Sequence, residues 1–256
     1  MMNILEAKNI NKKVELGNNH ELHILKDVNL EIENGEYLSV MGPSGSGKST
    51  LLYNISGMDR ITSGNLYFKN REINKLKEEE LAKIRLKTMG FIFQGIHLLK
   101  NLSLIDNIMF PALVDKNADQ QKVHQKAKKL LEMTGIEKIA NNTITQASGG
   151  QLQRVGICRA LINDPDILFG DEPTGALDSK STEEIMSLLT DINNKMGTTV
   201  MLVTHDVKVA AKTQRLLYMV DGKIVAQKKM PKYDAQRDNI KEREESIMKW
   251  LVGNGF

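Results

Sequence analysis

Residues 42–49 read Gly-Pro-Ser-Gly-Ser-Gly-Lys-Ser, with Thr50 next in line. This fits G-x-x-x-x-G-K-[ST], a loop that holds the phosphates of a nucleotide triphosphate. A triphosphate carries more negative charge than a few basic side chains can match. The loop meets it with backbone, aiming N–H groups from Gly45 to Thr50 inward as an anion nest at a helix N-terminus. Gly42, Pro43, Ser44, Gly45, Ser46, Gly47, Lys48, Ser49 and Thr50 are therefore the candidate nucleotide-binding residues. Lys48 is expected to reach the β- and γ-phosphates, and Ser49 to hold Mg²⁺. A Gly/Ser-rich turn that binds nothing is the competing reading, and the strand and helix on either side of it argue against that.

Two further stretches carry chemistry. Ile167-Leu168-Phe169-Gly170 leads into Asp171 and Glu172, placing two carboxylates at the C-terminal end of an apolar strand, the edge where open α/β sheets bind ligands. Asp171 suits the Mg²⁺ shell, directly or through water. Glu172 is placed to orient and polarise an attacking water. Ser148-Gly149-Gly150-Gln151 opens a helix over 151–162 and offers a second anion-binding helix N-terminus.

These residues need a scaffold. Ile4 to Ala7 and Leu22 to Ile32 read as strands, punctuated at Gly17-Asn18-Asn19 and Asn34-Gly35. Tyr37–Met41 reads as the strand that delivers the phosphate loop, and Lys48–Ile55 as the helix leaving it, with Leu51, Leu52 and Ile55 on one face. Asp59 to Lys69 reads as a hairpin turning at Ser63-Gly64. Lys75 to Lys87 reads as a charged helix with a solvated face. Residues 96–145 lack strand alternation, are mainly helical in pattern (118–133 above all), and form the smaller subdomain. Residues 167–169 and 200–203 are short apolar runs of the buried parallel type. Leu216–Val220 and Lys223–Val225 flank the Asp221-Gly222 hairpin signal. Ile240, Ile247 and Leu251 form one narrow apolar stripe on a tail helix ending near Gly253.

At 256 residues, 41% hydrophobic and 26% charged, the chain suits one α/β domain with a small appended subdomain. A net charge of +3 is too weak a bias for a nucleic-acid partner, and no basic stripe is interleaved with aromatics. No stretch approaches the ~20 apolar residues that span a bilayer, and the N-terminus lacks the apolar core of a signal peptide. The single cysteine, Cys158, fits a reducing compartment and reads as a small packed residue rather than a nucleophile.

Taken in order, the phosphate loop, Ala147-Ser148-Gly149-Gly150-Gln151, Asp171-Glu172-Pro173 and Thr204-His205-Asp206 resemble the ATP-binding-cassette family of ATPases over about residues 3–227. The resemblance implies an α/β P-loop NTPase of that type. It has a mixed, mainly parallel sheet core, N-terminal antiparallel strands and a helical subdomain over about 95–150, with a tail from 228 to 256. It implies ATP and Mg²⁺ as ligands. Gln94 would touch Mg²⁺ or the attacking water, and His205 the γ-phosphate. It also implies a head-to-tail homodimer in which Ser148, Gly149, Gly150 and Gln151 cover the partner's ATP and Asp178 couples the two sites. Ala147 stands where the family usually has leucine, and Gly170 where it has a bulkier apolar residue. The usual adenine-stacking aromatic aligns with Val14, and no Phe, Tyr or Trp precedes Tyr37. His20 and His23 are the candidate substitutes. Base–aromatic stacking is worth about 1–3 kcal/mol, so only modest discrimination between ATP and GTP is expected. A strong ATP preference in an ATPase assay would refute this.

Thr174-Gly175-Ala176-Leu177-Asp178-Ser179-Lys180 and the run from Ile84-Arg85 to Gln94 look like the macrolide-exporter and lipoprotein-release branch, and most like its bacitracin-type antimicrobial-peptide exporters. That branch implies a peripheral place at the cytoplasmic face of the cell membrane beside a separate transmembrane permease, with Ile96, Leu98, Leu99 and Phe110 as candidate contacts or as subdomain core. A nucleotide-switched regulatory module of the cell-division kind, or lipoprotein release, is the alternative. Soluble repair or translation machinery is disfavoured, because the chain has neither a long coiled-coil insertion nor a second cassette.

Overall fold

The computed structural model describes residues 2–15, 17 and 20–255; Asn18 and Asn19 of the expected first turn lie outside them. Strands β1 (Asn3–Glu15) and β2 (Glu21–Glu33) pair antiparallel. β1 runs well past the expected Ala7, through Asn9, Asn11, Lys12 and Lys13. Those residues favour strands poorly on their own, and it is pairing with β2 on one side and β4 (Ser63–Phe68) on the other that extends them. With β5 (Arg71–Glu72) these strands form a sheet in the order β2-β1-β4-β5.

The hairpin turns at Lys69-Asn70, not at Ser63-Gly64. Both turn residues have positive φ, 48° and 62°, the conformation of a tight two-residue hairpin. Gly64 opens β4 instead, where a Cβ would lie 2.4 Å from the Asn9 carbonyl oxygen. Its missing side chain admits the irregular stretch of β1 between Lys8 and Asn11, so the glycine serves close approach rather than a turn.

The second sheet carries the site. Strands β3 (Tyr37–Met41), β6 (Met89–Phe93), β7 (Ile167–Asp171), β8 (Thr199–Val203), β9 (Arg215–Val220) and β10 (Lys223–Lys229) lie in the order β10-β9-β3-β8-β7-β6. All neighbours are parallel except β9 and β10. Period-two alternation buries both faces, as the continuous apolar runs require. Leu38, Val40, Phe169, Met201 and Val203 face helix α1 (Lys48–Ile55) and the antiparallel sheet. Leu168, Val200 and Leu202 face the helical side. Gly170 lies on that second face, and a Cβ there would meet Leu202 Cδ2 at 2.6 Å. The apolar volume absent at 170 is supplied by Leu202 from the next strand.

The charged helix α2 spans Glu78–Thr88, starting later than Lys75 because the three acids Glu78, Glu79 and Glu80 occupy its first turn, where the helix dipole favours them. Helices α3 (Leu104–Leu113), α4 (Gln120–Met133) and α5 (Gly149–Leu161) pack with α6 (Ser179–Met196) over the second face. α5 starts two residues before the expected Gln151. Cys158 is fully buried there; burial pushes its thiol up to about 12, as a packed residue requires. A four-residue helix, α7 (Val207–Ala210), joins β8 to β9. The tail helix α8 (Ile240–Gly253) sets Ile247 and Leu251 against Met41, Ala210, Ala211, Leu216 and Tyr218. Its apolar stripe is thus packed on its own chain. Among the described residues no helix is long and apolar enough to cross a membrane.

Candidate functional site

Parallel strands end on the same edge of a sheet, so the topology alone gathers the chemistry. β3 delivers the phosphate loop, β6 delivers Gln94, β7 ends at Asp171, and β8 leads to Thr204 and His205. A cleft of about 620 Å³ opens along this edge. Its floor is Gly42, Ser44, Gly45, Gly47, Lys48, Ser49 and Thr50, and Glu172 and His205 border it. Helix α1 begins after Gly47, held in the left-handed region at φ 94° with no side chain capping the helix. Its first-turn donors therefore face the cleft, as a phosphate nest requires.

Lys48 is largely buried, and its ammonium donates to the carbonyl oxygens of Gly42 (3.0 Å) and Pro43 (2.8 Å). Burial lowers its pKa, while Glu172 and Asp171 act the other way. The Ser46 N–H donates to Pro43 O (3.2 Å), which removes one donor from the expected nest. The turn of the β9–β10 hairpin braces the loop from behind: Gly222 N–H donates to Ser46 O (3.0 Å), and Lys26 N–H donates to Gly222 O (2.9 Å). Only glycine fits at 222, since φ is 80° and a Cβ would fall 2.1 Å from Ile24 O.

Ser49 Oγ donates to Asp171 Oδ1 at 2.8 Å, and the Tyr53 hydroxyl donates to Oδ2 at 2.7 Å. Tyr53 has no counterpart among the residues read from sequence. The signal was spacing: Ser49 and Tyr53 stand four apart on α1, hence on one helix face. Burial and then Asp171 push the Tyr53 phenol up to about 12, so it remains a donor. A Tyr53→Phe variant is expected to lose about 1–2 kcal/mol of stability, read as a lower urea midpoint with an unchanged slope. An unchanged midpoint would show that the hydroxyl holds nothing.

Glu172 takes a positive φ of 46°, costly for a side chain of its size. Its backbone is fixed on both sides by Glu172 N–H to Val203 O (2.9 Å) and Gly175 N–H to Glu172 O (3.1 Å). Glu172 Oε1 lies 3.0 Å from His205 Nδ1. A Cβ on Gly175 would fall 2.8 Å from Gln94 Nε2 and 3.2 Å from Glu172 Oε2. The bare backbone at 175 lets the amide and the carboxylate border the same space. Glu172 thus lies beside His205 and, across Gly175, beside Gln94.

Ser148, Gly149, Gly150, Gln151 and Asp178 do not line this cleft. Ser148 and Gln151 form a reciprocal cap on α5: Gln151 N–H donates to Ser148 Oγ (3.3 Å) and Ser148 N–H to Gln151 Oε1 (2.8 Å). A Cβ on Gly150 would fall 2.9 Å from Ser181 Oγ, and that hydroxyl donates to Asp178 Oδ2 (2.6 Å). Asp178 is the N-cap of α6, accepting from Lys180 and Ser181 N–H at 3.0 Å each. Gly150, Ser181 and Asp178 are thus neighbours, outside the cleft of their own chain's phosphate loop.

Val14 is 37% exposed and faces the exposed Leu22 in strand register. It does not line the cleft, whereas Leu22, His23 and Ile24 do. His23 Nε2 sits 2.9 Å from Asn11 Oδ1, which fixes the ring's edge. The residues expected to meet a divalent cation, Ser49, Asp171 and Gln94, offer a hydroxyl, one carboxylate and an amide oxygen, all hard donors. No cluster of three or more His, Cys, Asp or Glu able to hold a metal occurs among the described residues. The one-carboxylate set would suit Mg²⁺ arriving with phosphates and keeping its waters.

Comparison with known proteins identifies the family. The profile of the ABC transporter family matches residues 25–175. The uncharacterised ABC transporter ATP-binding protein MJ0796 of Methanocaldococcus jannaschii is 42% identical over 235 residues, 90% of this chain and 99% of that protein. The lipoprotein-releasing system ATP-binding protein LolD of Leptospira interrogans is 43% identical, covering 85% of this chain and 90% of LolD. The bacitracin export ATP-binding protein BceA of Halalkalibacterium halodurans is 40% identical, covering 88% of each. The dimeric post-hydrolysis structure of MJ0796 bound to ADP and Pi superposes with a TM-score of 0.83 at 40% identity, over 90% of this chain and all of that one.

Proposed function

The chain belongs to the ABC transporter family as one of its ATP-hydrolysing cassettes, and from that premise we propose that it powers a separate membrane permease. The work proposed is export of, or resistance to, an antimicrobial peptide or other amphipathic compound, from the cytoplasmic face of the membrane. The observation that carries this is the near full-length similarity to a bacitracin export cassette. Comparable similarity to a LolD cassette supports lipoprotein release as the second reading.

In the proposed reaction a water attacks the γ-phosphorus, the bond to the β-γ bridging oxygen breaks, and ADP and phosphate leave. The phosphate loop and Lys48 bind the triphosphate. Glu172 orients the water and draws on its proton. His205, 3.0 Å from Glu172, contacts the γ-phosphate and keeps Glu172 in place. Gln94 reaches the same space from β6. Ser49 and Asp171, with Gln94, would hold Mg²⁺, which neutralises phosphate charge when bound. Ser148, Gly149, Gly150 and Gln151, lying away from their own chain's loop, would cover the ATP of a second copy arranged head to tail, with Asp178 at the join. Residues 1–227 act as the cassette and 228–256 as its tail.

The permease is proposed to dock beside Gln94. Leu99 and Phe110 are 44% and 50% exposed, whereas Leu98 packs into the helical core and Ile96 lies against Gly156. An apolar cleft of about 410 Å³ bordered by Met58, Leu86, Phe91, Phe93 and Pro111 lies on this side. The test is to express Glu172→Gln with the neighbouring membrane proteins, solubilise in detergent, add ATP, and identify what co-purifies. A permease with a large extracytoplasmic domain is expected. A dimer that stays soluble and partnerless would overturn the transport reading.

A further inference from the structure

We propose that the C-terminal tail is part of the hydrolytic machinery, with Arg243 and Tyr233 acting as positioning residues for the segment that carries His205. The inference rests on the role proposed for His205. Between β8 and β9 the chain runs from Thr204 through His205, α7 and Lys212 to Thr213. The start of this segment faces Glu172; its far end is gripped by the tail.

Arg243, on α8, donates from Nε to Ala211 O (2.7 Å) and from its two terminal nitrogens to Thr213 O (2.9 Å) and Pro231 O (3.0 Å). Its side chain is 11% exposed. A rigid planar fork bonded to three carbonyls holds backbone in one place, as a flexible lysine does not. The Tyr233 ring carries two cations, Arg243 at 5.5 Å and Lys212 Nζ at 5.8 Å from its centroid. Lys212 is 4% exposed as a residue and reaches Glu183 of α6 at 2.5 Å. Glu183 lies one turn into the helix that Asp178 caps. A continuous path thus joins tail, His205 segment and α6: Arg243, Tyr233, Lys212, Glu183.

None of these side chains lines the nucleotide cleft. Losing the grip should therefore misplace His205 and Glu172 while leaving the phosphate loop intact. Small misplacements of reacting groups lower the rate steeply while ground-state binding is kept.

The test measures ATPase kinetics of the full chain for Arg243→Ala, Tyr233→Leu, Arg243→Lys and His205→Ala, at a temperature where each is folded. The protein's single tryptophan, Trp250, packs edge-on to Tyr218 (6.3 Å), so its fluorescence reports whether α8 remains docked. Arg243→Ala and Tyr233→Leu are each expected to lower kcat roughly tenfold with KM for ATP within about twofold. Arg243→Lys should recover part of the loss. If the two variants lower thermal stability yet keep the parental kcat, the tail is only a packing element and the proposal falls. It falls also if KM rises in step with the loss of kcat. If Arg243→Ala releases Trp250, Tyr233→Leu, which leaves the guanidinium bonds in place, decides alone: an unchanged kcat overturns the proposal. Should His205→Ala itself retain activity, the reading of the active site has failed and not merely the role of the tail.

Discussion

A Glu172→Gln variant is expected to hydrolyse ATP roughly 10²–10⁴ times more slowly than the parent while binding it as well, the span that a positioned general base contributes. The substitution is close to isosteric, and the amide can still hydrogen-bond His205 Nδ1, now 3.0 Å from the carboxylate. The backbone at 172 is held by Val203 and Gly175, so its strained φ of 46° is set by the fold and survives the change. What disappears is a group able to draw the proton from water. Single-turnover hydrolysis measures the loss, and size-exclusion with ATP measures its consequence. A triphosphate that is not cleaved should hold two copies together, so a strictly monomeric profile would count against the head-to-tail pairing. Retained turnover would move the base elsewhere.

Lys48→Ala is expected to weaken ATP binding about 10- to 200-fold, from the roughly 1.5–3 kcal/mol of a hydrogen bond to a charged group. Lys48 is largely buried at the floor of the cleft, anchored on the carbonyls of Gly42 and Pro43. Titration with a fluorescent ATP analogue checks this directly. The outcome separates it from Glu172→Gln: one variant loses affinity, the other turnover. Parental affinity in Lys48→Ala would mean that the backbone nest alone holds the phosphates.

The local elements of the site were readable because each rests on nearby residues. Helix Lys48–Ile55 matches its expected bounds, and Tyr37–Met41 is the expected strand. The order in which β6, β7, β8 and β3 lie side by side could not be read, since parallel pairing is set by contacts far apart in the chain. That order is what brings Gln94, Asp171 and His205 to one edge. Gly64 misled for a related reason. A glycine signals freedom from a Cβ, and only the partner strand reveals whether the freedom serves a turn or the nearby carbonyl of Asn9. Gly170 departs from the family pattern, and its complement, Leu202, lies on another strand. Tyr53 was legible in principle, four residues from Ser49, but the phosphate-loop pattern stops at Thr50 and draws attention away. The tail stripe of Ile247 and Leu251 declared a buried face without naming its partner, which proves to be the chain's own Ala210, Ala211 and Tyr218.

Two groups suited to anions already hold bonds within the chain. Lys48 lies on the carbonyls of Gly42 and Pro43, and the head of α5 is closed by Ser148 and Gln151 upon each other. A phosphate reaching Lys48 would therefore exchange bonds rather than meet a bare charge. A stray anion, able to offer only one or two contacts, gains little from such an exchange. A triphosphate held, as proposed, between two chains would gain at many points at once. Discrimination would then arise from how many bonds must be exchanged together.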